Sequence, residues 1–290
     1  MTAASTALPL VVALAIVVLA TSVHRRLPPR LAARFVVVAL VVVAIAAIPT
    51  TLVIAIAFLA HAPVVGIGFE WCAQAIGLHG SMPAWIGMPA VALILIGTVR
   101  TVRLLHQHRR LRVDAAQPVH IAHSHSPYAI TLPGRAGQIV ISTAMVELLD
   151  EAEQRIVVAH ERAHARYRHD RYLLVSELAA AALPPLRALS KRVSYSIERW
   201  ADEAAAKVCG DRQLVAITLG RVALQAGPPT VAGFSGLGVA SRMNALLQPP
   251  VQMPSRRTVL LLWSSLAVTA GLGVYQLHHL ERLLTALCPH

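Results

Sequence analysis

The chain has 290 residues, of which 56% are hydrophobic and only 14% charged, and its mean hydropathy is +0.60. That balance excludes an ordinary soluble domain and places the chain among membrane proteins. The formal charge of +12 sits largely in short segments beside apolar runs, where it reports orientation and contact with membrane lipids. Aromatic residues make up only 4% and no reader motif occurs, so no direct nucleic-acid binding is expected.

The first apolar run, residues 7–23, is free of charge and reads as a membrane helix. No Lys or Arg precedes it, while Arg25, Arg26, Arg30 and Arg34 follow, which predicts a retained anchor with the N-terminus outside rather than a cleaved leader. A second run covers 35–60, interrupted only by Pro49, Thr50 and Thr51. A third, 82–99, is shorter and carries Pro83, Gly87, Pro89 and Gly97. The segment 61–81 holds Glu70 and no basic residue, whereas Arg100, Arg103, Arg109, Arg110 and Arg112 follow the third run. The asymmetry predicts a three-helix membrane region over 1–113, with the following domain on the cytoplasmic side. The cysteines, Cys72, Cys209 and Cys288, have no metal-ligand spacing; Cys72 and Cys288 fall on the same outer side, where a pair is open to them.

Residues 114–225 gather nearly all the acidic groups and mix helix and strand signals, which predicts a globular domain. A Gly/Pro-rich linker, 226–257, holds a short helix at 241–247 between breakers. Arg256 and Arg257 then precede a fourth apolar run, 258–277, and a short tail, 278–290, emerges outside. The expected fold is a mainly α membrane protein: four transmembrane helices, with a cytoplasmic α+β domain inserted between the third and fourth.

Within that domain, Asp150 and Glu153 form a capping-box pattern at the start of a helix that runs to about Arg168. The helix carries His160-Glu161-Arg162-Ala163-His164, an HExxH pattern. Histidines four residues apart lie on one helical face and can bind one Zn²⁺, while the adjacent Glu161 is placed to take a proton from an attacking water. The bland alternative is two histidines on a solvated face with Glu161 as a charge partner. A catalytic zinc needs a third protein ligand. A metzincin continuation would need Gly at 167 and His at 170, where Tyr167 and Asp170 stand. A second helix, about 186–208 and ending at Gly210, offers Glu198 and Asp202 on one face. Glu198 can be the third ligand and Asp202 the support of a ligating histidine. Alone, both read more readily as surface carboxylates near Arg199 and Lys207.

HExxH followed by Glu198-Arg199-Trp200-Ala201-Asp202 resembles the HtpX-like and BlaR/MecR-like membrane metallopeptidases, which are gluzincins. The order of spans and Arg168-His169-Asp170 look like the BlaR/MecR type. The resemblance implies one Zn²⁺ per chain held by His160, His164 and Glu198, and Glu161 as catalytic base. It further implies a bacterial cell membrane and a protein or peptide substrate, above all a cytoplasmic transcriptional repressor cleaved in a signalling response. The sensors of that group carry a large C-terminal domain outside the membrane, and here only the tail stands in its place. The rivals are an HtpX-like quality-control protease and a non-enzymatic membrane transducer or scaffold. Upstream, 128–132 and 138–142 flank a turn and predict a hairpin. An edge there, Gln138, Ile139, Val140 and Ile141, could pair with a peptide substrate, or simply pack beneath the metal helix. His120, His123 and His125 read as surface groups, and His169 lies off the ligand face.

Overall fold

The structure is a computed structural model that describes residues 3–59, 83–111, 119–134, 137–225 and 238–285. The segment 61–81 with Cys72, the first part of the Gly/Pro-rich linker (226–237), and the end of the tail with Cys288 lie outside the described residues. So the suggested cysteine pair does too.

Four long helices carry the apolar runs: α1 (Ala3–Val23), α2 (Pro29–Leu59), α3 (Ala84–Leu111) and α10 (Arg256–Thr285). Among the described residues three are long and apolar enough to cross a membrane, Pro29–Leu59, Ala84–Arg110 and Arg256–Tyr275. This corrects the expectation of four spans with the domain between the third and fourth. The globular domain is inserted between the second and third of these spans. Among the described residues, Val11–Val23 of α1 is a shorter apolar helix and is not among these three. Its Ala13, Ile16 and Ala20 are buried in a core shared with α2.

α2 starts earlier than its charge-free run because Arg30 and Arg34 lie over the Trp200 ring, 5.6 and 5.8 Å from its centroid, instead of in lipid. Pro49 is tolerated inside it. The neighbouring Thr50 and Thr51 hydroxyls donate back to the Ala46 and Ala47 carbonyls at 3.1 and 2.8 Å, covering polar groups near the break. α3 continues as helix well beyond its apolar part, through the arginines that follow Val99.

The domain opens with β1 (Val119–Ala122), β2 (Ala129–Thr131) and β3 (Ile139–Ser142) in the order β1-β3-β2, with β1 parallel and β2 antiparallel to β3. Ser142 ends β3 and caps α4 (Thr143–Leu148), accepting from the Met145 N–H. Then come α5 (Glu151–Tyr167), α6 (His169–Ala182), α7 (Arg187–Cys209), α8 (Arg212–Gln225) and α9 (Val239–Leu247). Two hydrophobic cores hold these elements. One joins α1, α2 and α10 to Leu189, Val193, Ile197 and Trp200 of α7. The other packs the sheet, α4 and α8 against Ile156 and Val157 of α5. Each fully buried Ile or Leu contributes on the order of 2 kcal/mol, so α5 is fixed to the sheet and α7 to the membrane helices. The site lies where these two helices meet.

Candidate metal centre

α5 begins with the capping box expected of Asp150 and Glu153: the Glu153 N–H donates to Asp150 Oδ1 at 2.9 Å and the Asp150 N–H to Glu153 Oε2 at 3.1 Å. Its inner face buries Ile156, Val157, His160, Glu161 and Ala163. It ends at Arg168, in the left-handed region at φ 55°, where the chain turns directly into α6. α7 ends at Gly210, also left-handed, whose N–H donates to the Ala206 carbonyl.

These helices bring His160, His164 and Glu198 together, with one ligand atom from each lying within 4.8 Å of the others. The Nε2 atoms of the two histidines are 3.1 Å apart, and Glu198 lies 3.6 Å from each through its two oxygens. Ligand atoms about 2.0–2.1 Å from a tetrahedral Zn²⁺ would be about 3.3 Å apart, so the donor set fits one such ion by type and by spacing.

Around the triad each donor has a support. Asp202, one turn after Glu198, places Oδ1 3.2 Å from His160 Nδ1. His164 Nδ1 meets His169 Nδ1 at 3.2 Å, so the histidine placed off the ligand face orients a ligand rather than binding metal. His169 is fully buried among Tyr167, Tyr172 and Trp200. Burial first, then the neighbouring His164, push it down to about 2, so it stays neutral and its Nδ1 can accept from His164. Thr131 on β2 holds the Glu161 carboxylate, its hydroxyl 2.7 Å from Oε2.

A further participant, missed in the sequence, is Arg242 on α9, whose side chain is fully buried. Its guanidinium donates to both Asp202 oxygens, Nε to Oδ2 at 2.8 Å and a terminal nitrogen to Oδ1 at 2.7 Å, and its other terminal nitrogen lies 3.0 Å from Glu198 Oε2. α9 is itself clamped by Arg212, which donates to the Ala245, Leu246 and Gln248 carbonyls at its C-terminus. Burial alone would raise Glu198, but Arg242 foremost, then the histidines, hold it down to about 2. The same guanidinium keeps Asp202 well below its usual range against the cost of burial. Burial disfavours a charge on His160, yet Asp202 and then Glu198 outweigh it and raise the imidazole to about 9. Without a cation, a proton therefore stands where the metal charge would be. Glu198 and Asp202 share one guanidinium, and Glu161 adds a third carboxylate beside His164, an arrangement that favours a divalent cation.

The strand expectation needs correction in its position. β3 is the central strand, paired on both sides, and Ile139, Val140 and Ile141 are buried beneath α5. With Gln138, whose carbonyl accepts from Leu132 N–H, they have no free main-chain edge to offer a peptide. Among the described residues, the free edge beside Glu161 belongs to β2. His120, His123 and His125 take no part in the metal cluster.

Residues 103–183 match the family described as Peptidase family M48, a stretch that includes His160, Glu161 and His164 and stops before Glu198. The chain is also 25% identical, over 181 residues, to the plastoglobule-localized metallopeptidase 48 of Arabidopsis thaliana chloroplasts. That match covers 54% of this chain and 52% of the relative, so the chain spans about half the length of the curated relative it matches. No solved structure matches. Motif, buried His-His-Glu triad and family match agree on a zinc-dependent metalloendopeptidase catalytic domain attached to membrane helices, with one Zn²⁺ site.

Proposed function

From the premise of an M48-type zinc metallopeptidase domain, we propose that the chain is a membrane-tethered endopeptidase that cleaves protein substrates at the membrane face, an HtpX-like quality-control protease. The observation that carries the reading is the carboxylate of Glu161, adjacent in sequence to a triad ligand and held by Thr131. Bound at His160, His164 and Glu198, zinc would supply Lewis-acid polarisation. Glu161 accepts a proton from the attacking water and returns it to the leaving amine, and Thr131 keeps that carboxylate aimed. Asp202 and His169 keep the two imidazoles in the tautomers whose Nε2 atoms face the site. The open edge of β2 runs past Thr131 and can pair with an extended peptide through its main chain, which places a scissile bond beside Glu161.

Orientation follows from charge. Arg30 and Arg34 at the start of α2 contact Trp200 of the domain, the arginines after Val99 lead from α3 into it, and Arg256 and Arg257 open α10 on leaving it. These basic clusters lie on the domain's side of the membrane, which supports a cytoplasmic placement of that side. Cleavage of a cytoplasmic repressor rested on the four-span order and on Arg168-His169-Asp170; with three spans the first support is gone, while the M48 match favours the quality-control task.

The test is zinc content and proteolysis of the full chain. Wild type should carry about one zinc and cleave casein or unfolded membrane proteins in a chelator-sensitive manner. Glu161→Gln should keep the zinc and lose turnover, and His160→Ala should lose both. Normal cleavage by either variant would sink the proposal, and a single favoured soluble substrate would replace quality control with signalling.

A further inference from the structure

Away from the metal, a cavity of about 450 Å³ lies where α3 meets α6 and α7, and its walls include Arg100, Arg103, Arg187 and Lys191. Glu177 is the only acidic residue lining it. None of the four cations is within ion-pair distance of a carboxylate among the described residues, whereas Arg168, Arg199, Arg212, Arg221 and Arg242 each are. Four basic side chains against the one carboxylate of Glu177 around a single concavity raise the local anion concentration.

The depth of the cavity identifies the anion. The charge-free part of α3 ends at Val99, and at Gly97 an added Cβ would run into the Ala182 carbonyl oxygen, so span and α6 touch backbone to backbone just there. The lining residues Arg100, Arg103, Leu104 and Gln107 occupy the next turns, about 10 Å of helix, enough to span one headgroup layer of about 5–8 Å. Immediately before them, Leu95, Ile96 and Val99 are 61, 52 and 48% exposed and form a lipid-facing apolar surface leading up to the basic walls. A ligand that joins an anionic head to apolar tails satisfies both halves; a free phosphate or an acidic peptide satisfies only the first. We propose that this cavity binds the phosphate headgroup of an anionic phospholipid of the leaflet facing the domain, with its acyl chains along α3. Occupancy bridges α3 to α7, on which Ser194 at the cavity is one turn from the ligand Glu198.

Native mass spectrometry of the full chain in detergent, with equimolar dioleoyl phosphatidylglycerol and dioleoyl phosphatidylcholine, tests this independently of catalysis. Wild type should retain one phosphatidylglycerol in preference to phosphatidylcholine. At about 1 kcal/mol per basic group, Arg103→Gln with Arg187→Gln should weaken retention roughly thirtyfold. Lys191→Gln alone should weaken it about fivefold, and zinc content reports that each variant is folded. Arg109→Gln with Arg110→Gln removes the same charge from exposed positions outside the cavity and should leave retention at the wild-type level. Equal losses in the two double variants would reduce the effect to diffuse surface charge and overturn the site. Equal retention of the two lipids would also overturn it, and displacement of the lipid by excess inorganic phosphate would assign the cavity to a soluble phosphate instead.

Discussion

Arg242 grips Asp202 with two nitrogens, at 2.7 and 2.8 Å, from a helix 40 residues farther along the chain. The pair is sealed from water, Asp202 at 1% and Arg242 at 0% exposure, and it fastens α9 to the helix that carries Glu198. Removing one partner of a buried ion pair leaves the other uncompensated, at a cost of about 3–5 kcal/mol. Arg242→Met should therefore lower the thermal midpoint of the metal-free protein sharply. Zinc should restore much of the loss, since the dication compensates Glu198 and Asp202 in place of the guanidinium. Thermal unfolding in detergent with chelator and with zinc reads the difference, and an equal drop in both conditions would mean that packing rather than charge is what Arg242 supplies.

The Thr131 hydroxyl ties the sheet to Glu161. Thr131→Val keeps the side-chain shape and removes the donor, so the carboxylate swings among rotamers instead of facing the site. Loss of such a support typically costs 10–100-fold in activity, so kcat should fall by about that factor with zinc content unchanged. Thr131→Ser should keep most of the activity. A Val variant with wild-type kcat would show that Glu161 is oriented by other contacts.

These two residues also mark what the sequence made legible. The HExxH face, the Asp150–Glu153 capping box, the glycine stop at Gly210 and the hairpin between β2 and β3 are local patterns, fixed by spacing within a turn or two, and each is present in the fold. Glu198 and Asp202 were reachable as a pair because they share one helical face. Arg242 was not, because its partners lie far away in sequence and its own helix is a short element in a Gly/Pro-rich stretch. The central position of β3 was equally hidden: it depends on β1 pairing in parallel from the other side, a non-local match that no alternation in a four-residue strand reveals. The number of spans differed for another reason: composition marks an apolar run at the N-terminus without telling how much of it packs on a neighbouring helix, as Ala13, Ile16 and Ala20 of α1 do on α2.

The two ligand histidines are oriented by different partners, His160 by a carboxylate and His164 by a neutral imidazole. His169→Phe keeps the packing against Trp200 but removes the acceptor for His164. It should weaken zinc binding about 10–100-fold, as measured by competition with a chromophoric chelator. His169→Asn retains an acceptor and should recover part of that loss. If Phe and Asn bind zinc alike, the contact with His164 is packing alone.

Zinc uptake should depend on pH through His160. Its folded-state value of about 9 lies above the ordinary 6.5, so between those values the metal-free protein carries a proton there that an unfolded chain would not. That proton stabilises the metal-free fold fully below pH 6.5, and its contribution is lost as the pH rises through about 9. A ligating imidazole must be neutral at Nε2, so zinc has to expel the proton while Nδ1 keeps its own for Asp202. Binding near pH 7.5 should then release about one proton per zinc, and apparent affinity should rise with pH and level off above about 9. Titration calorimetry in buffers of different ionisation enthalpy counts the protons directly. Asp202→Asn removes the largest stabiliser of the imidazolium, so it should bring the release below one at the same pH; an unchanged count would mean that Glu198 alone holds the proton on His160.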